Sequence, residues 1–88
     1  QWLKDWRRRY VRLIGDQLLI ARDEKAEPHD KIDLGECLTV KSADEKTGRR
    51  YAFEVATPGQ TFFFQSTNTS EKDDWIGAIG QAIVALSS

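Results

Sequence analysis

The sequence predicts a mainly β domain, folded as a curled sheet or partly open barrel and capped by one C-terminal helix. Two observations lead to this class: short segments with strand-like patterns fill residues 7–65, and a helical spacing of apolar residues follows over 70–86. The chain has 88 residues, of which 40% are hydrophobic and 31% charged. That size and balance suit one domain, residues 1–88, with a modest core.

The predicted strands are short and are separated by polar turns. In order along the chain they cover residues 7–13, 18–21, 31–34, 37–42, 51–55 and 61–65. Gly15-Asp16 is a turn signal that joins the first two strands in a hairpin, and Pro58-Gly59 joins the last two. The polar residues 22–30 and the charged residues 43–49 are predicted loops.

The pattern becomes helical after residue 69. Ser70 is the predicted N-cap, and Glu71 places a carboxylate in the first turn, where it suits the helix dipole. The apolar residues then recur every three to four positions, at Trp75, Ile76, Ile79, Ile83 and Leu86. Because six antiparallel strands leave edges and ends open, we expect this amphipathic helix to cover one of them.

Charge is distributed unevenly along a chain whose net charge is −1. Residues 1–13 carry five basic residues against Asp5, a net of +4, whereas residues 14–36 carry three against seven acids, a net of −4. A general polyanion binder would be basic over much of its surface, so we expect no nucleic-acid partner. The pattern favours one local basic site near the N-terminus.

Several other functions lack a sequence signal. No nucleophile and base pair, metal-ligand spacing or Gly-rich phosphate loop is visible, so we expect neither an enzyme nor a cofactor or metal site. Cys37 is the only cysteine, which favours a reducing, cytoplasmic setting. No apolar run is long enough to span a bilayer. The chain contains no methionine, and we expect it to be a piece of a longer protein.

Alternation along the first predicted strand sorts its arginines. Arg7 and Arg9 share a face with the core residues Val11 and Leu13, and Arg8 and Arg12 share the other. On this pattern Arg7 and Arg9 reach a mouth of the barrel, where guanidinium groups suit bidentate phosphate binding. The alternative is that both side chains face solvent or pair with acids of the loop over residues 23–30.

Residues 4–13, with the pattern K-x-W-R-R-R-Y-V-x-L, resemble a pleckstrin homology (PH) domain, as do the strand order and the early tryptophan Trp75 in EKDDWIGAIGQAI. The resemblance covers essentially the whole chain. It implies two near-orthogonal antiparallel sheets closed at one end by the helix, with Trp75 plugging that end. The first strand here corresponds to the family's second, so the family's first strand and its lysine are absent or precede residue 1.

The resemblance also implies a non-enzymatic, peripherally membrane-associated module that binds phosphoinositide headgroups. Arg7 and Arg9 match the second half of the family's phosphate pattern, and Lys4 supplies a further charge. Tight binders also use a tyrosine of the third strand, which is Ile20 here, and an arginine of the fourth, near which this chain has only His29 or Lys31; Arg22 would partly substitute. Residues Trp2 and Leu3 would insert into the membrane or pack against the absent strand. The alternative function is protein–protein interaction on the same fold, through the strand beside the helix or the outer face that holds Arg8 and Arg12.

Overall fold

The computed structural model describes residues 6–87, which form six strands in two three-stranded antiparallel sheets. The first sheet has the order β1 (Tyr10–Ile14), β2 (Gln17–Ala21) and β3 (Asp30–Asp33), and the second β4 (Thr39–Ser42), β5 (Ala52–Ala56) and β6 (Thr61–Gln65). A 3-10 turn, Leu34–Glu36, connects the sheets, a one-turn helix α1 (Asp44–Thr47) follows β4, and α2 (Thr69–Ser87) ends the fold. The predicted fold class is confirmed.

The first strand begins three residues later than the sequence predicted. Its ladder with β2 runs from Ile14 opposite Gln17 to Tyr10 opposite Ala21. The chain leaves β2 after Ala21, so residues 6–9 have no strand opposite them in this hairpin. The predicted strand start at Arg7 is therefore wrong, although the hairpin and its Gly15 turn, with a φ of +59°, are as expected.

The core lies between the two sheets and under α2. Its buried members come from both sheets, the 3-10 turn and the helix: Leu18, Ile20, Ile32, Leu34, Phe53, Val55 and Ile79. Val11 and Leu13 are half-buried against this cluster, while Arg12 between them is exposed, which agrees with the predicted alternation. Trp75 is half-buried and also packs against the cluster.

Helix α2 begins one residue before its predicted cap. The Asn68 side chain accepts a hydrogen bond from the Glu71 amide at 2.8 Å, and the Glu71 carboxylate accepts one from the Thr67 amide at 2.7 Å. This reciprocal pair satisfies backbone donors that the first turn leaves open. Ser70 already lies inside the helix, so the predicted N-cap is wrong by two positions.

The predicted loop over residues 43–49 contains α1, which ends at Gly48 with a φ of +72°. Asp44, its first residue, accepts hydrogen bonds from the amides of Tyr51 (3.2 Å) and Ala52 (2.9 Å). The Lys72 ammonium of α2 lies 2.9 Å from the same carboxylate. These hydrogen bonds lower the pKa of Asp44, with the one from Lys72 having the largest effect. Asp44 thereby ties α1, β5 and α2 together.

Candidate functional site

The candidate site is built around three consecutive arginines that lead into β1. Arg7, Arg8 and Arg9 are all exposed, and they precede the first ladder pair rather than belonging to the strand. The Arg9 guanidinium donates a hydrogen bond from Nη1 to the Arg8 carbonyl at 2.8 Å. The segment therefore presents its charge to solvent at one end of the first sheet.

Strand register brings a fourth arginine to the same end. Tyr10 of β1 pairs with Ala21 of β2, so Arg9 and Arg22 are the next residues beyond this pair on the two sides of the hairpin. Arg22 is exposed. The His29 amide donates to the Ile20 carbonyl at 2.9 Å, which returns the 22–29 loop to this end of the sheet. The predicted binding residues Arg7, Arg9 and Arg22 thus share one end of the first sheet.

Acids surround this basic group. The segment over residues 22–30 carries four exposed carboxylates, on Asp23, Glu24, Glu27 and Asp30. Asp23 accepts a hydrogen bond from the Lys25 amide at 2.9 Å, and Asp30 accepts one from the Lys31 amide at 2.8 Å. These two side chains therefore shape the loop itself, while their charge reduces the positive potential around the arginines.

Two further basic residues lie in β3 or directly before it. Lys31 pairs with Leu19, so it takes the strand face opposite to that of the buried Ile20. His29 is exposed. The predicted residues Trp2, Leu3 and Lys4 lie outside the part of the chain that the structure describes.

A cavity of about 550 Å³ contains none of the predicted binding residues. It lies between β3 and the turn that joins β5 to β6, and its lining includes Lys31, Asp33, Glu36, Pro58 and Phe62. One cation beside two carboxylates suits a polyphosphate poorly. The arginine segment, and not this cavity, is the candidate anion site.

Arg49 makes contacts that the sequence did not predict. Its side chain is exposed, and its guanidinium carbon lies 4.8 Å from the centroid of the Trp6 ring. Its Nη1 donates to the Gln65 side-chain oxygen at 3.3 Å, and the Gln65 amide nitrogen donates to the Arg50 carbonyl at 3.0 Å. No local pattern reveals this contact, because the two partners, Trp6 and Arg49, lie 43 positions apart in the sequence.

Two further findings concern the described residues only. Between residues 6 and 87, no group of three or more His, Cys, Asp or Glu side chains is placed to hold a metal ion. No helix in the same range is both long and apolar enough to cross a membrane.

Known proteins similar to this chain agree with the fold. The sequence profile of the PH domain matches residues 1–84. Pleckstrin homology domain-containing protein 1 of Arabidopsis thaliana is 38% identical over 92 residues, which cover 98% of this chain and 63% of that protein. Ventricular zone-expressed PH domain-containing protein homolog 1 of Rattus norvegicus is 30% identical over 87 residues, which cover 94% of this chain and 10% of that protein. The chain thus spans less than two thirds of either relative.

The solved structure of the N-terminal PH domain of human ARAP2 matches with a TM-score of 0.79 and 26% identity, covering 96% of this chain and 70% of that one. The C-terminal PH domain of human pleckstrin matches with a TM-score of 0.74 and 30% identity, covering 91% of this chain and 68% of that one. Profile, relatives and structures agree on residues that include both sheets and α2. The chain belongs to the PH domain family.

Proposed function

We propose that this chain is a membrane-targeting module that binds phosphoinositide headgroups through Arg7, Arg9 and Arg22, with Lys4 as a further basic group. The observation that carries the proposal is the convergence of exposed arginines at one end of the first sheet, just beyond the Tyr10–Ala21 pair. The module acts by binding alone, without catalysis, and works at the cytoplasmic face of a membrane.

Arginine chemistry suits a phosphorylated headgroup. Each guanidinium presents a planar fork of donors that matches two phosphate oxygens at once. Arg9 and Arg22 are the residues directly beyond the last ladder pair, Tyr10 with Ala21, at the same end of the first sheet. Two guanidinium groups at one end of a sheet can contact separate phosphates of one inositol ring.

Magnitudes argue for such direct contacts. Each basic residue near an anionic surface contributes about 1 kcal/mol, so a net charge of +4 gives about 4 kcal/mol, or roughly millimolar affinity. The acids of the 22–30 segment reduce that attraction further. Stable recruitment therefore requires direct guanidinium–phosphate bonds or a second membrane contact in the parent protein.

The test is co-sedimentation with phosphatidylcholine vesicles that carry one phosphoinositide at physiological salt. We expect the Arg7→Ala/Arg9→Ala variant to lose affinity. The matched control is Arg8→Ala/Arg12→Ala, which removes the same charge from the same stretch of chain. Loss of charge alone weakens both variants alike, by about thirtyfold.

Direct phosphate bonds add to that common effect only at Arg7 and Arg9. We expect at least about a tenfold greater loss there than in the control, since a hydrogen bond to a charged group contributes about 1.5–3 kcal/mol. Equal losses in the two variants would mean that the arginines act as diffuse charge and would refute the proposed site. Vesicles with phosphatidylserine alone control for lipid charge.

The outer face of the first sheet favours a second candidate function, protein–protein interaction. Tyr10 and Ile14 are 40% and 45% exposed there, and Arg12 and Lys31 flank Leu19 in the ladder. Apolar groups between cations suit an acidic protein segment with apolar side chains.

The two functions are separable with the same pair of variants. If the chain binds a protein through the outer face, Arg8→Ala/Arg12→Ala should reduce co-precipitation of the partner, and Arg7→Ala/Arg9→Ala should leave it unchanged. Vesicle binding that falls at least about tenfold further with Arg7→Ala/Arg9→Ala than with Arg8→Ala/Arg12→Ala supports headgroup binding.

A further inference from the structure

The arginine segment lacks the support that a strand receives from its neighbour. Residues 6–9 precede the first ladder pair of β1, so the backbone there makes no β1–β2 hydrogen bonds. At its C-terminal end the segment is held by the pairing of Tyr10 with Ala21. At its N-terminal end the Trp6 ring lies against Arg49, which in turn contacts Gln65 at the end of β6.

We propose that Arg49 is a positioning residue for the phosphate-binding arginines. Its stack on Trp6 fixes the beginning of the segment to the second sheet, so that Arg7 and Arg9 are held between two anchors. This inference rests on the proposed function, because it assumes that Arg7 and Arg9 bind a headgroup. It adds that their affinity depends on a residue far along the chain.

The physical basis is preorganisation. A segment that is fixed at both ends loses less conformational freedom when it binds a ligand than one that has lost its anchor at Trp6. The planar Arg49 guanidinium can stack on the indole and donate to Gln65 at the same time. The more strongly hydrated ammonium of a lysine lacks this planar fork, so Arg49→Lys keeps the charge and weakens the anchor.

Arg50 provides a matched control. It is the adjacent residue, it has the same charge, and its side chain is exposed. The contact described for Arg50 is made by its backbone carbonyl, which accepts from Gln65 and is retained in any substitution. Arg50→Lys and Arg49→Lys therefore have equal charge and nearly equal positions, and they differ in the contact with Trp6.

The test measures the affinity of both variants for the phosphatidylcholine vesicles with one phosphoinositide described above. We expect Arg49→Lys to weaken binding about three- to fivefold, the usual effect of an exposed cation–aromatic contact, and Arg50→Lys to leave it unchanged. In a Trp6→Leu background the Arg49→Lys substitution should have no further effect, because its anchoring partner is gone.

Backbone order parameters from amide NMR relaxation supply a readout that needs no ligand. Arg49→Lys should lower the order parameters of residues 7–9 and leave those of β5 and α2 unchanged, which shows that the fold is intact. If the wild-type chain binds the vesicles and the Arg49→Lys and Arg50→Lys variants bind them equally well, the positioning role of Arg49 is overturned while the proposed function stands. A wild-type chain that binds no phosphoinositide would overturn the proposed function, and this inference with it.

Discussion

Ile79 is the residue that most directly tests how α2 closes the two sheets. Its side chain is fully buried, with 0% exposure, and it belongs to the cluster that joins both sheets to the helix. The substitution Ile79→Ala removes three carbon atoms from that cluster. At about 0.8 kcal/mol for each buried carbon, the lost transfer free energy is about 2.4 kcal/mol.

The cavity left behind adds to this cost, which brings the expected loss to about 3–4 kcal/mol. A domain of 88 residues has a total unfolding free energy of roughly 4–13 kcal/mol, so the variant is expected to be marginally folded. Urea denaturation followed by circular dichroism measures the change. The midpoint temperature of thermal unfolding should also fall, by about 15 °C or more.

The control lies one and a half turns further along the same helix. Val84 is 67% exposed, so Val84→Ala should change the free energy of unfolding by no more than about 0.5 kcal/mol. If Ile79→Ala were as mild as Val84→Ala, the helix would not be packed as described. Ile79 would then not be a buried member of the core that joins α2 to the two sheets.

Three further predictions concern stability, each checked by thermal or urea unfolding. The pKa of Asp44 is lower in the folded state than in the unfolded state, chiefly because of the hydrogen bond from Lys72. The ionised carboxylate therefore contributes fully to the free energy of unfolding above its unfolded-state pKa, and this contribution is lost as the pH falls through its folded-state pKa. Asp44→Asn should therefore destabilise the chain at neutral pH, and a gap from wild type that persists at acid pH would contradict this. Asn68→Ala removes the α2 cap and should cost about 1 kcal/mol; no cost would mean that the cap is not used. Gly77→Ala should stabilise by about 0.5–1 kcal/mol, because an added Cβ meets no atom within 4 Å, and a loss would show crowding that the structure lacks.

The regular elements could be predicted because their signals are local. Alternation placed Val11 and Leu13 inward, and helical spacing placed Ile79 on the buried face of α2. The errors arose where a partner decides the outcome. Arg7 has strand-like neighbours, but β2 ends at Ala21 and leaves residues 6–9 outside the β1–β2 ladder.

The candidate site was predictable in part. Residues Arg7 and Arg9 stand out by composition, and Arg22 follows from hairpin register once the turn at Gly15 is placed correctly. The stack of Arg49 on Trp6 depends on how the two sheets meet, which no local pattern encodes. Sequence reasoning therefore found the arginines but not the contact that anchors their segment.

The most direct test of the central claim is titration of the isotopically labelled chain with a soluble inositol phosphate headgroup, followed by backbone amide resonances. We expect saturable shifts at residues 7–9 and at Arg22, with little change on β5 or at the outward-facing residues Arg12 and Ile14. Shifts confined to that outer face, or none at saturating headgroup, would contradict the assignment of the arginine segment as a phosphate site.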